Sequence, residues 1–153
     1  MIYNIYTDGS CRNNGYANAI GAWGYVILNE DETDILAEEC DRCEQTTNQR
    51  MELTAIIKAC ETIASRVDEG DEIHIYTDSS YACNCYLQKW YRKWQINGWV
   101  NSKKELVANR DLWEMLIPFY VDPIYHLHKV TGHMDNKWNN YVDKQVQTLS
   151  LGG

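Results

Sequence analysis

Ile5-Tyr6-Thr7-Asp8-Gly9-Ser10, near the start of the chain, is echoed by Ile75-Tyr76-Thr77-Asp78-Ser79-Ser80 near its middle. In each copy a short alternating run reaches an aspartate and passes straight into small polar residues, which predicts strands over 2–8 and 73–77. If the two lie parallel and adjacent in one sheet, Asp8 and Asp78 finish side by side at their carboxyl ends, where open α/β sheets bind ligands. Taken singly, each aspartate also reads as a turn former at the end of a strand. As a pair they predict more, because two carboxylates brought close repel each other unless a cation or a proton offsets the charge.

Working outward, residues 20–29 and 33–42 read as two more strands joined by an acidic turn at Glu30 to Glu32, so three antiparallel strands lead the chain. Leu53, Ile56, Cys60, Ile63 and Val67 recur at helical steps, with Thr46 and Gln49 as a capping box and Gly70 as the stop. A helix follows from Ser79 or Ser80, then a polar and aromatic excursion over 89–109 and a helix over 111–119. A strand over 124–130, a loop carrying TGHMDN, and a last helix striped by Trp138, Tyr141, Val142, Gln145, Val146 and Leu149 complete the pattern. This order suits an α/β fold with a mixed sheet and helices on its faces. Residues 1–150 form a single expected domain and 151–153 a short tail, since nothing in between marks a linker.

Composition bounds the function. No apolar run is long enough to span a bilayer, and the opening residues lack the marks of a signal peptide, so a cytoplasmic protein without membrane contact is expected. Cys40 and Cys43 form C-x-x-C and Cys83 and Cys85 form C-x-C; the second pair is too tight for a zinc site, and the six cysteines read as reduced thiols. A net charge of −8 is unfavourable for gripping phosphate through bulk charge. The excess is local, however: residues 30–44 hold eight acids against Arg42 alone, and outside them 14 acids face 13 bases. Residues 89–104 hold five basic side chains, no acid, and Trp90, Tyr91, Trp94 and Trp99, a composition suited to nucleic acid.

Two further acids fall where they would join the first pair: Glu52 early on the first predicted helix, and Asp143 one turn after Asn139 on the last. Acids on exposed helix faces are common, so neither carries weight alone. Together, four oxygen donors on four elements suit Mg²⁺ or Mn²⁺ rather than zinc, and phosphate chemistry is the usual use of such a site.

At this point the chain resembles type 1 ribonuclease H over essentially its whole length. The likeness runs through YTDGS (Tyr6 to Ser10), TTNQRMEL (Thr46 to Leu53), YTDSSY (Tyr76 to Tyr81), the tryptophan-bearing excursion, and the TGH loop followed by Asn139 and Asp143. It implies a five-stranded mixed sheet, three antiparallel strands then two parallel, flanked by helices. It also implies an endoribonuclease that hydrolyses the RNA strand of RNA/DNA hybrids and leaves 5′-phosphate and 3′-hydroxyl ends. Asp8, Glu52, Asp78 and Asp143 would be catalytic and would bind two Mg²⁺ ions, with Mn²⁺ a possible substitute. Asp8 would bridge both ions, Glu52 and Asp78 would help hold one, and Asp143 the other. One ion would activate water and the other stabilise the departing 3′ oxygen. His133 matches a mobile catalytic histidine assigned to proton transfer or product release. His74, His126 and His128 read as solvated, the last two at alternating positions of one strand.

For the substrate, Asn14, Asn48 and Gln49 match residues that touch the hybrid's minor groove, where amides can donate to and accept from a 2′-hydroxyl. Thr47 and Asn109 match a pocket for a DNA phosphate, and Trp90 and Trp94 match a channel that admits only deoxyribose. Core packing is the alternative for Trp94 and Trp99. Gln45 and Gln95-Ile96-Asn97 stand where relatives often carry basic residues, which points to modest affinity with a shallow salt dependence. A monomer is expected, without a separate hybrid-binding domain because the first strand begins at Ile2. Three rivals remain: a catalytically silent module of the same fold, another nuclease of the superfamily such as a junction resolvase or transposase core, and an excised reverse-transcriptase domain. The intact acids, the Trp-rich excursion with Thr47-Asn48-Gln49, and Met1 before the first strand weigh against them in turn.

Overall fold

A computed structural model of the protein describes residues 1–131 and 136–151. β1 (Ile2–Arg12), β2 (Ile20–Leu28) and β3 (Ile35–Glu44) precede α1 (Asn48–Ala64). Then come β4 (Glu72–Thr77), α2 (Ser80–Gln88), α3 (Trp90–Asn97), α4 (Arg110–Tyr120), β5 (Tyr125–Lys129) and α5 (Lys137–Ser150). The strands form one sheet in the order β3-β2-β1-β4-β5, antiparallel through β3, β2 and β1 and parallel from β1 to β4 and β5. This is the five-stranded mixed sheet with flanking helices that the resemblance implies.

The two repeated tetrapeptides lie in step. Tyr6 pairs with Tyr76 across the parallel ladder, and their rings stack with centroids 4.9 Å apart. One expectation needs correcting: β1 does not end at Asp8. Its antiparallel ladder with β2 runs on to Arg12 opposite Ile20, whereas β4 stops at Thr77. The reason is that β2 continues to satisfy the backbone of β1 after β4 has turned into a helix.

Side-chain alternation divides the sheet into two faces. One buries Tyr3, Ile5, Tyr25 and Ile27 against Leu53, Ile56 and Ile63 of α1 in the larger core. The other packs Tyr6, Ala22, Val26 and Leu28 against Val142 and Val146 of α5. Because α5 packs mainly on β1 and β2, the same face of β4 before Tyr76 and of β5 is largely uncovered by the helices among the described residues. β3 is an edge strand whose Glu38, Glu39, Asp41 and Glu44 are exposed, and such charges deter another strand from pairing there. Much of the acidic excess therefore sits on an edge.

Local chemistry moved two boundaries. The α1 cap is Thr47, whose hydroxyl accepts from the Arg50 N–H at 3.1 Å; the expected capping box at Thr46 does not form. Gln45 adopts a left-handed conformation (φ 51°), and Thr46 is turned inward over Gly21, where its Oγ1 is buried without a hydrogen-bond partner among the described residues. At the other end α1 stops at Ala64, and Gly70 (φ 90°) serves the turn into β4 instead. No helix among the described residues is long and apolar enough to cross a membrane.

Candidate active site

The site forms where β1 outruns β4, and a missing side chain makes it possible. Gly9 faces α1, and a Cβ built there would stand 2.3 Å from both the Glu52 backbone nitrogen and the Met51 carbonyl carbon. Only glycine allows the first turn of α1 to lie this close to β1. That contact carries Glu52 from the α1 side of the sheet to Asp8, which points to the α5 side like Tyr6. Asp78 follows directly on β4, and Ser79 then caps α2 by accepting from the Ala82 N–H at 3.0 Å. Asp143 arrives from α5, held down by Val142 and Val146 on either side.

The carboxyl groups feel one another. Asp8 is 6% exposed. Its pKa is pushed up to about 9, chiefly by burial, then by the charge of Asp78 and by a hydrogen bond to the Asp143 carboxyl, which needs a proton between the two. Burial also raises Glu52 to about 7, with Asp78 adding to the rise and a hydrogen bond from Ser79 opposing it. Asp78 is raised by partial desolvation and by Asp143, while Lys129 pulls the other way. The Asp8 Oδ2 atom is buried with no hydrogen-bond partner among the described residues. An anion in this position needs either a proton or a cation beside it. The side chains that bear on it among the described residues are the carboxyl groups of Asp78 and Asp143, and carboxylate oxygens fit a hard divalent ion such as Mg²⁺ or Mn²⁺. The structure thus sets Asp8, Asp78 and Asp143 against one another and joins Glu52 to them through Asp78, while His133 lies outside the described residues.

Beside the acids, the polar residues singled out for substrate contact fall into two linked groups. Asn14 Oδ1 accepts from the Asn48 N–H at 3.1 Å, tying the loop after β1 to the start of α1. Arg50, whose N–H caps on Thr47, donates from Nη1 to Asn109 Oδ1 at 3.2 Å and makes a two-pronged ion pair with Asp111. Asn109 then donates to the Tyr81 hydroxyl at 3.2 Å. Thr47 and Asn109, far apart in sequence, are therefore tied to one residue, Thr47 through the Arg50 backbone N–H and Asn109 through its guanidinium. Next to them an open groove of about 700 Å³ is lined by Gln49, Tyr81, Trp90, Lys93, Trp94 and Asn101 among others. Trp90 is half-buried along it. Trp94 is 9% exposed, its ring 5.7 Å from Trp99 and 5.6 Å from Trp113 between centroids, so the same side chain packs the core and forms the groove wall.

A model of the family described as RNase H matches residues 2–150. The chain belongs to the RNase H family. It is 44% identical over 151 residues to a protein named Ribonuclease H from Syntrophomonas wolfei, covering 97% of each chain. It is 40% identical over 141 residues to one from Clostridium botulinum, covering 92% of this chain and 89% of that one. Among solved structures, LC9-RNase H1, a type 1 RNase H with the type 2 active-site motif, superimposes with a TM-score of 0.78 at 24% identity over 99% of this chain and 72% of that one. A foamy viral protease-reverse transcriptase in complex with dsDNA gives 0.81 at 22% identity over 99% and 95%. These two show the shared fold; the sequence relatives show that the chain is a nuclease enzyme of the ribonuclease H kind.

Sequence reasoning passed over four residues that the geometry makes important to this RNase H site. Gly9 was legible only as part of a turn signal, because its close approach depends on where α1 docks. Ser79 carried a visible signal as a helix cap, though not its second bond to Glu52. Arg50 lay inside the quoted TTNQRMEL segment but pairs with residues of a distant loop. Lys129 gave no sign in the sequence that it would sit near Asp78.

Proposed function

We propose that this RNase H hydrolyses the RNA strand of RNA/DNA hybrids with two Mg²⁺ ions held by Asp8, Glu52, Asp78 and Asp143, leaving 5′-phosphate and 3′-hydroxyl ends. The observation that carries this reading is the buried Oδ2 of Asp8, without a hydrogen-bond partner among the described residues, beside the carboxyl groups of Asp78 and Asp143, with Glu52 joined to them through Asp78. When bound, the two ions supply an activated water on one side of the scissile phosphate and charge stabilisation of the departing oxygen on the other.

The chain's own part is positioning. Asp8 is rigid because it lies within a strand laddered on β2 and buried beneath α5, so it fixes the centre of the donor set. Glu52 is fixed by the α1 contact over Gly9 and by Ser79. Asp78 and Asp143 are more open to solvent and stand on the approach to the phosphate. The Asn14, Asn48 and Gln49 amides read sugar hydroxyls from the minor groove, Thr47 and Asn109 seat a phosphate of the DNA strand beside Arg50, and Trp90 with Trp94 forms the wall that a deoxyribose passes. The protein acts as a monomer in the cytoplasm.

The test uses labelled RNA/DNA hybrid, duplex RNA, duplex DNA and both single strands, each with Mg²⁺ and with chelator, beside the Asp78→Asn variant. Scission of the hybrid alone, dependent on metal and lost in a folded Asp78→Asn, is the expected result. Equal cutting of duplex RNA, or cutting that survives chelation, overturns the proposal.

A further inference from the structure

At the far end of β4, on the face that α5 leaves uncovered, stands a cluster of different chemistry. Glu72, His74 and Tyr76 alternate along β4 and His126 and His128 along β5, all on one side of the sheet. The His74 ring stacks on His126 at 4.8 Å and on His128 at 5.1 Å between centroids. The three imidazoles are thus half-buried and mutually packed, not simply solvated as their sequence positions suggest. Glu72 closes the group: its Oε2 lies 3.8 Å from His74 Nε2 and its Oε1 3.8 Å from His126 Nε2.

We propose that Glu72, His74 and His126 form a second divalent-metal site, for Zn²⁺ or a neighbouring transition ion. Ligand atoms from the three residues lie within 4.8 Å of one another. A tetrahedral shell with bonds of about 2.1 Å sets its ligands about 3.4 Å apart; the two 3.8 Å contacts use different oxygens of Glu72, so the carboxylate must turn to bring one oxygen to both imidazoles from within 4.8 Å. The remaining adjustment falls on side chains free to make it, since Glu72 is 49% and His126 37% exposed. Two imidazoles with one carboxylate select borderline ions over Mg²⁺, which prefers oxygen.

The orientation of His74 supports the assignment. Its Nδ1 lies 2.8 Å from His128 Nε2, leaving Nε2 aimed at Glu72. With a metal on Nε2, Nδ1–H donates to His128, the arrangement in which ligating histidines have their second nitrogen held. Glu72 and Asp78 are six residues apart on an extended chain, about 20 Å, so the ion does not share in phosphate chemistry. Its effect is to pin the edge strand β5 to β4, since His126 comes from one strand and Glu72 and His74 from the other.

Zn²⁺ binding to the full chain would be measured by titration calorimetry in excess Mg²⁺, with His74→Gln, His126→Gln and Asp78→Asn in parallel. The folding of each would be verified by circular dichroism. One equivalent of Zn²⁺ is expected in the wild type and in Asp78→Asn, with affinity at least tenfold lower in each histidine variant. Perturbed His74 and His126 ring resonances on adding Zn²⁺ would accompany it. No binding, binding undiminished in both histidine variants, or binding lost in Asp78→Asn would each overturn the proposal.

Discussion

Replacing Gly9 by alanine tests whether the close approach of α1 to β1 sets the geometry of the four acids. The added methyl would sit 2.3 Å from the Glu52 nitrogen, 2.3 Å from the Met51 carbonyl carbon and 2.6 Å from its oxygen. All three are backbone atoms in the first turns of a helix, so no side chain can swing aside. Ordinary contact begins near 3.4 Å, and relief requires α1 to move away by about an ångström. Overpacking of this kind costs about 1–3 kcal/mol, which for a chain of this length lowers Tm by about 2–4 °C per kcal/mol. The larger effect falls on activity, because a displacement of about 1 Å in a positioned catalytic group reduces the rate on the order of 100-fold. Hybrid cleavage under saturating Mg²⁺ should therefore fall far more than stability does. A Gly9→Ala protein with unchanged melting and a rate within twofold of wild type would show that Glu52 is not placed by this contact.

Three further outcomes are expected. In metal-free protein, Asp8 binds its proton more tightly folded (about 9) than at its ordinary 3.8, so the folded state loses stability as pH rises from about 4 to about 9. Asp8→Asn should flatten that slope in thermal melts and should abolish both activity and the stabilisation by Mg²⁺; an unchanged slope refutes the assignment. Asp111 is shifted the opposite way, its carboxyl held below 3.8 by hydrogen bonding to Arg50, so its contribution is present above pH 4 and disappears as pH falls through the lowered value. Asp111→Asn should cost under about 1 kcal/mol at pH 7 because the pair is exposed, yet raise KM more than it lowers kcat by loosening Arg50 against Asn109. Equal changes in both constants would count against that. Finally, Trp94→Ala should destabilise the fold by about 3–5 kcal/mol, whereas Trp90→Ala should melt near the wild type and lose hybrid affinity. Matching melting losses in the two variants would contradict the division between wall and core.

The parts of this fold that could be read in advance are those with a short period and a chemical terminus. Ile5-Tyr6-Thr7-Asp8 and its counterpart at Ile75 announce two strands and the acids beyond them, and the α1 stripe of Leu53, Ile56, Cys60 and Ile63 announces the helix that buries one face of the sheet. What resisted reading depends on partners. Thr46 and Thr47 are chemically equivalent as caps, and only the turn at Gln45, which sends Thr46 inward over Gly21, decides between them. The break between α2 and α3 falls at Lys89, in a left-handed conformation (φ 55°) that nothing about lysine foretells. The 89–109 excursion could be recognised as a candidate nucleic-acid surface from its composition, but not divided into Trp90 on the groove and Trp94 in the core.

The histidines make the same point from the other side of the sheet. Their alternation on β5 was visible, but its meaning required knowing that β4 lies alongside with His74 opposite His126, and that α5 packs mainly on β1 and β2. A face of a sheet left without a helix normally carries side chains indifferent to water. This one instead carries three stacked imidazoles and Tyr76, each ring within 5.1 Å of the next along the row from His126 through His74 and His128. Neutral imidazole is the form of histidine that binds a metal. The same topology that gathers four carboxyl groups at one end of β4 therefore gathers nitrogen donors at the other, and the two ends select different ions for reasons that lie in their donor atoms.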